Sequence, residues 1–275
     1  MLRPFAFRGV ALDWSRPYIM GVVNVTPDSF SDGGALASVE AAVAHGERLV
    51  ERGADVIDVG GEATNPRAKG VTAEEEIARV IPVIEGLVKR VKAPISVDTT
   101  KAAVAKAAIE AGAEIVNDVS GGLFDPATPR VAAASDVAYI CGHLRGRALE
   151  EVFKAEAPAG WEEVANELDA RIIQRDMTWV DPGLGFGKGA DPACNMDLIR
   201  HAGDLAARTR CPVVLGPSRK RFLAKMIGST DPKDLDAATV GACLAGVAAG
   251  ANMLRVHDPG LLRAALVVYF ENRGS

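Results

Sequence analysis

Residues 55–99 read DVIDVGGEATNPRAKGVTAEEEIARVIPVIEGLVKRVKAPISVDT, and the pattern inside them decides the fold. Val56–Gly60 and Ile95–Asp98 are short runs, mostly β-branched and apolar on successive positions, as expected of parallel strands covered on both faces. Between them, Ala73–Arg90 presents Ile77, Ile81, Ile84, Leu87 and Val88 at helical spacing, and Thr72 with Glu75 has capping-box spacing at its start. Both strands end on polar residues, Asp58 and Gly60-Gly61-Glu62 in one and Asp98 in the other.

The same unit repeats in both directions. Further strands are expected at Tyr18–Asn24, Ile115–Asp118, Val137–Cys141, Trp179–Asp181, Val213–Gly216 and Met253–Val256. Amphipathic helices are expected at Ser38–Arg52, Lys101–Ala111, Trp161–Arg175, Met196–Arg208, Asp236–Ala249 and Pro259–Phe270. Eight alternating units in 275 residues favour a closed TIM (β/α)8 barrel over an open doubly wound sheet. No repeat, low-complexity segment or Pro/Gly/Ser linker divides the chain, so 1–275 is expected to be a single domain. Phe5 to Trp14 would form a short N-terminal extension, a hairpin across the barrel bottom.

Composition narrows the function. The chain is 48% apolar and 24% charged, enough to bury a large core, and its formal net charge of −5 argues against nucleic acid, which wants a basic face. Cys141, Cys194, Cys211 and Cys243 form no C-x-x-C pair, which fits reduced thiols in a cytoplasm better than disulfides or a zinc site. The N-terminal Met1-Leu2-Arg3-Pro4 lacks the long apolar region of a signal peptide, and Ala242–Leu254 is too short to span a bilayer. A soluble cytoplasmic protein without membrane partners is expected.

Polar residues fall at the ends of all eight strands: Asn24, Asp58, Asp98, Asn117-Asp118, His143, Asp181, Ser218-Arg219-Lys220, and Arg255 with His257. In a TIM barrel these ends share one mouth, where active sites sit. Any one aspartate could merely cap the next helix, Arg219 and Lys220 could be solvated loop charges, and His143 alone reads more readily as structural than catalytic. Taken together, Asp98, Asn117 and Asp181 suit a ring rich in N–H groups, because a carboxylate facing an N–C–N edge makes paired charge-assisted hydrogen bonds. Lys220, Arg255 and His257 come from strands seven and eight, where such barrels often hold phosphate. The run Asp181-Pro182-Gly183-Leu184-Gly185-Phe186-Gly187-Lys188 lacks phosphate-loop spacing. It reads better as a tight loop bringing backbone near a flat ligand, with Phe186 available for stacking. No nucleophile signature and no H-E-x-x-H occurs.

Several of these segments resemble the signatures of the dihydropteroate synthases. They are Gly21-Val22-Val23-Asn24-Val25-Thr26-Pro27-Asp28-Ser29-Phe30-Ser31-Asp32-Gly33-Gly34, Asp55–Glu62, Ile95–Thr99, Val116-Asn117-Asp118, Asp181–Lys188, Gly216-Pro217-Ser218-Arg219-Lys220 and Arg255-Val256-His257-Asp258, in family order. The resemblance implies that 6-hydroxymethyl-7,8-dihydropterin pyrophosphate condenses with p-aminobenzoate to give dihydropteroate in folate biosynthesis, and it implies a sulfonamide target. On it, Asp98, Asn117, Asp181 and Lys220 would hold the pterin, with Phe186 and Leu144 on its faces. Asn24, Arg67, Arg255 and His257 would take the pyrophosphate, Asn24 through Mg2+, an ion that prefers hard oxygen ligands and substrate phosphates. Thr26, Pro27, Phe30, Thr64, Pro66 and Ser218 would form the p-aminobenzoate pocket. Asp98, Asp181, Lys220, Arg255 and His257 would carry a dissociative reaction, in which pyrophosphate leaves before the amine attacks. A homodimer is typical of the family.

The chain departs from the family pattern in three places. Asn65 stands where an Arg is usual, with Arg67 two positions on. Leu144 stands for a Met, and Pro217 for a Val. Two other readings stay open: a non-catalytic pterin-binding paralogue, and a pterin-dependent methyltransferase.

Overall fold

The structure, a computed structural model, describes residues 2–25, 34–62, 70–189 and 191–272. The chain opens with an antiparallel hairpin of Phe5–Phe7 (β1) and Val10–Leu12 (β2). Its two turn residues, Arg8 and Gly9, both have positive φ, the backbone that matches the twist of paired strands. The guanidinium of Arg8 donates to the carbonyls of Val88 and Ala93 and to Glu114, which ties the strained turn to the body of the protein.

Eight parallel strands follow among the described residues: Tyr18–Asn24 (β3), Val56–Gly60 (β4), Ile95–Asp98 (β5), Ile115–Asp118 (β6), Ala138–Gly142 (β7), Thr178–Asp181 (β8), Val214–Leu215 (β9) and Met253–Val256 (β10). They pair in the order β8-β7-β6-β5-β4-β3-β10-β9, and a parallel bridge between Val180 and Val213 joins the two ends. This is the (β/α)8 barrel expected from the alternation.

Helices Gly34–Glu51 (α1), Ala73–Arg90 (α2), Ala102–Glu110 (α3), Thr128–Ala134 (α4), Leu149–Val152 (α5), Trp161–Arg171 (α6), Pro192–Arg200 (α7), Ala202–Thr209 (α8), Arg221–Ile227 (α9), Pro232–Ala248 (α10) and Pro259–Glu271 (α11) surround it. The capping box of α2 forms in both directions: Thr72 Oγ1 accepts from the Glu75 amide and the Glu75 carboxylate accepts from the Thr72 amide. None of the described helices is long and apolar enough to cross a membrane.

The structure differs from the sequence expectation in several places: the short helices α4, α5 and α9 were not expected, and α6 ends at Arg171 rather than Arg175. Helix α4 has the sequence TPRVAAA, too short and too poor in large apolar residues to show a stripe. The expected helix Met196–Arg208 begins earlier and breaks at His201, where Gly203 packs against the chain after α10 and donates to Ala249 O at 2.7 Å. A β-carbon on Gly203 would lie 2.6 Å from that oxygen, so the close approach needs a glycine. Helix α10 starts at Pro232 rather than Asp236, because Asp231 caps it by accepting from the Lys233 amide.

Strand alternation sorts the side chains into two apolar clusters. Ile19, Val23, Ile57, Val59, Val97, Val116, Cys141, Val180 and Leu254 point outward to the helices. Met20, Val56, Ile115, Ile140, Trp179, Val214 and Met253 fill the lower interior together with Phe5, Phe7 and Leu12 of the hairpin. Phe5 meets Trp179 edge-on at 5.2 Å, so the extension plugs the bottom of the barrel. One inward step higher the interior turns polar, with Asp58 and Ser96 in register on neighbouring strands and both buried.

Candidate active site

Above the apolar plug, the inward positions of β4, β5, β6, β8 and β10 carry Asp58, Asp98, Asn117, Asp181 and Arg255. Arg255 stands at the centre. Its Nε donates to Asp58 Oδ2 at 2.6 Å and its Nη2 donates to Asp98 Oδ2 at 2.6 Å. Asn117 Nδ2 donates to the same Asp58 oxygen at 2.9 Å. The other Asp58 oxygen is buried and accepts no bond from the described residues.

Burial pushes the Asp98 carboxyl up to about 7; the Arg255 charge opposes this and the Asp58 charge adds to it. Burial also raises the Asp181 carboxyl, although the Gly183 amide donates to it at 2.7 Å. The Arg255 guanidinium is raised: burial works against its charge, and Asp58 and Asp98 more than offset that.

Lys220 lies just before α9, with its Nζ 4.0 Å from the centroid of the Phe186 ring. Burial and the nearby Arg255 charge bring its ammonium down to about 8, against the pull of Asp181 and Asp98. Asp181, Lys220 and Phe186 therefore gather at one side of the mouth. Ser218 and His257 pair beside them: Ser218 Oγ lies 2.9 Å from His257 Nδ1 and accepts from the His257 amide at 3.3 Å. Burial, followed by the charges of Arg255, Arg219 and Lys220, lowers His257 to about 4, so the ring is neutral near pH 7. A cleft of about 490 Å3 runs from His257 past Asn24, with Arg48, His45 and Arg219 on its walls.

The structure thus brings together Asn117, Asp98, Asp181, Lys220, Phe186 and Arg255, and sets Ser218, His257 and Asn24 at the rim. Leu144 is 1% exposed and follows His143 directly. Thr26, Pro27, Phe30, Thr64, Pro66 and Arg67, like Asn65, lie outside the described residues.

Sequence reasoning missed two relationships. It separated a cationic wall from an acidic floor, whereas Arg255 spans both; the signal was its inward position on β10, two residues above Met253 of the interior plug. It also left Lys188 as the end of a glycine run. In the structure Lys188 is 2% exposed and bonds His143 across the barrel top. His143 proves to be held on both ring nitrogens, by Lys188 at 3.0 Å and by Glu167 at 3.0 Å, and burial lowers it to about 4.

This geometry has known counterparts. The sequence profile of the pterin-binding enzymes matches residues 20–257. The solved dihydropteroate synthase of Xanthomonas albilineans with 4-aminobenzoic acid is 41% identical, covers 100% of both chains and superposes with a TM-score of 0.90. The chain belongs to the dihydropteroate synthase family. The dihydropteroate synthase of Synechocystis sp. is 38% identical over 90% of this chain and 87% of its own length. The mitochondrial folate synthesis bifunctional protein of Arabidopsis thaliana is also 38% identical, over 89% of this chain, but the chain spans only about half of it, 47% of its length.

Proposed function

We propose that this chain is a dihydropteroate synthase, joining 6-hydroxymethyl-7,8-dihydropterin pyrophosphate to p-aminobenzoate with loss of pyrophosphate. The observation that carries this is the inward ring of Asp98, Asn117, Asp181 and Lys220 around Arg255. Asp181 is on an inward position of β8 and, among the described residues, accepts only from the Gly183 amide, so its second oxygen is available to a pterin N–H. Lys220 and Phe186 supply a cation and a ring face next to it, and we assign Leu144 to the opposite face of the ring.

The reaction asks these residues to stabilise charge rather than to form a bond. As the C–O bond to pyrophosphate breaks, positive charge spreads into the pterin, where the carboxyl groups of Asp98 and Asp181 lie. Negative charge builds on the departing pyrophosphate, towards Arg255 and the neutral N–H donor of His257. The amine of p-aminobenzoate then attacks the exposed methylene and loses its proton to solvent. Ser218 holds the His257 ring and borders the p-aminobenzoate side, with Thr26, Pro27, Phe30, Thr64 and Pro66 completing that pocket and Arg67 the anion site.

The residues fit a magnesium ion. Asn24 offers a neutral oxygen at an exposed strand end, while the nearby carboxylates are engaged by Arg255, a donor set that suits an ion keeping water and phosphate oxygens as its main ligands. When bound, Mg2+ supplies charge neutralisation to the leaving pyrophosphate. We place the protein in the cytoplasm, consistent with its four free cysteines, and take it as one domain. A homodimer is supported by the exposed apolar residues Leu261, Val267, Val268 and Phe270 on α11 and Met226 and Ile227 on α9.

The test follows pyrophosphate and dihydropteroate together, with the pterin pyrophosphate and magnesium present. Dihydropteroate formed only when p-aminobenzoate is added, and competed by a sulfonamide, supports the proposal. Tight pterin binding without dihydropteroate would instead mark a non-catalytic paralogue.

A further inference from the structure

A lysine at the end of a glycine-rich loop would ordinarily be solvated, since taking an ammonium out of water is costly. Lys188 is instead 2% exposed, and among the described residues its hydrogen-bond partners include no carboxylate, although the Asp181 charge lies near enough to favour its ammonium. Its Nζ donates to Phe186 O at 2.9 Å, to His143 O at 3.2 Å and to His143 Nδ1 at 3.0 Å. Three N–H donors thus meet three acceptors, the full capacity of an ammonium. Two of those acceptors belong to the loop after β7 and one to the loop after β8, 43 to 45 residues apart in sequence.

The partners are themselves anchored. Burial brings the Lys188 ammonium down to about 7; in its charged form it can only donate, which makes Nδ1 of His143 the accepting nitrogen and leaves Nε2–H to donate to Glu167. Glu167 on α6 is held in turn by Arg145 at 3.0 Å and Arg171 at 3.1 Å, and Arg171 also donates to Leu144 O at 3.0 Å. The two loops approach so closely that a β-carbon on Gly183, where φ is +72°, would collide with the His143 carbonyl. The His143 amide donates to Asp181 O at 2.8 Å, extending the β7–β8 pairing by one residue.

Resting on the reading of this mouth as a pterin site, we infer that Lys188 is a positioning residue: it clamps the loops after β7 and β8 together and so fixes Phe186 relative to His143 and Leu144. It is not among the residues proposed above to touch either substrate. Its effect reaches the ring through Phe186, whose face also carries the Lys220 ammonium. Loosening the clamp should therefore weaken grip on the flat ring and leave the anion site alone.

The experiment uses the full chain and two separate ligands, 6-hydroxymethyl-7,8-dihydropterin without its diphosphate and inorganic pyrophosphate with magnesium, each titrated by calorimetry. Lys188→Met keeps the length of the side chain and removes all three donors. Lys188→Gln keeps polar donors in the pocket and stands in should the Met variant fail to fold. Lys188→Met should bind the pterin at least about tenfold more weakly, the size of effect expected when buried acceptors lose their donor, and Lys188→Gln should show a smaller loss of the same kind. Pyrophosphate affinity and the KM for p-aminobenzoate should stay within about twofold of the parent, since no contact to either is removed. Unchanged pterin affinity in both variants overturns the inference. So does an equal fall in both affinities, which would mark a residue that serves only to hold the fold. Failure of the unsubstituted protein to bind the pterin would sink the pterin reading itself, a different result from either.

Discussion

Arg255 and Asp98 are joined by a 2.6 Å hydrogen bond from Nη2 to Oδ2, with Asp58 held at the same distance by the Arg255 Nε. A cation from β10 thus lies across the floor formed by β4 and β5. A pterin presents to a carboxylate the kind of N–H edge that a guanidinium presents, so the ligand and Arg255 are chemically alike in what they offer Asp98.

The pH profile of kcat/KM for the pterin substrate should be bell-shaped and narrow. Asp98 must be ionised to accept an N–H, and its carboxyl stands at about 7, so the rate rises as pH climbs through that value. Lys220 loses its charge at about 8, so the rate falls beyond it. The two apparent values belong to the coupled set rather than to single residues. Lys220→Arg should remove the alkaline limb; a persisting fall above pH 8 in that variant would assign the limb elsewhere.

Asp98 also bears on stability. Its folded-state value lies above the ordinary 3.8, so the folded chain binds this proton more tightly than the unfolded one. The stability it lends is complete below about pH 4 and is lost as pH rises through about 7. The melting temperature of Asp98→Asn, relative to the parent, should therefore improve between pH 4 and pH 8 while turnover is lost. A relative Tm that does not move with pH would contradict this.

Phe186→Leu removes the ring under the Lys220 ammonium and one wall of the proposed slot. A cation–π contact of this kind is worth about 1–2 kcal/mol when shielded from water, so KM for the pterin substrate should rise about 5- to 30-fold. The KM for p-aminobenzoate, measured at saturating pterin, is the internal control.

His257 should remain neutral throughout the working range. Burial and three nearby cations lower it to about 4. In a carbon-13 labelled sample its ring resonance should hold constant from pH 8 down to pH 5.5, while an exposed histidine titrates near 6.5. Ser218→Ala frees Nδ1 and should cost about tenfold in kcat, the usual scale for one lost hydrogen bond to a working group.

Trp179 tests the separation between mouth and base. It is fully buried beneath the mouth, in edge contact with Phe5, Phe7 and Trp14. Trp179→Ala should destabilise the fold by about 3–5 kcal/mol, read by denaturant titration, with pterin KM little changed in whatever fraction stays folded.

The barrel was legible because its cues are local. Apolar β-branched runs marked the strands, Thr72 and Glu75 marked the start of α2, and alternation put Asp58, Asp98, Asn117, Asp181 and Arg255 on inward positions. Helix α4 escaped notice because its seven residues hold too few large apolar side chains to show a period, and the break at His201 because its cause, the approach of Gly203 to Ala249, comes from another helix.

Sequence alone, then, determined the eight units, the plugging hairpin and the identity of the residues at the mouth, since strand period, capping and turn chemistry act within a few residues. Only the tertiary structure decided their pairing. Arg255 meets acids 197 and 157 residues away, and Lys188 meets His143 45 residues away. Those partnerships arise once the barrel closes and water leaves, because a buried charge must then take whichever acceptor the neighbouring strand or loop presents.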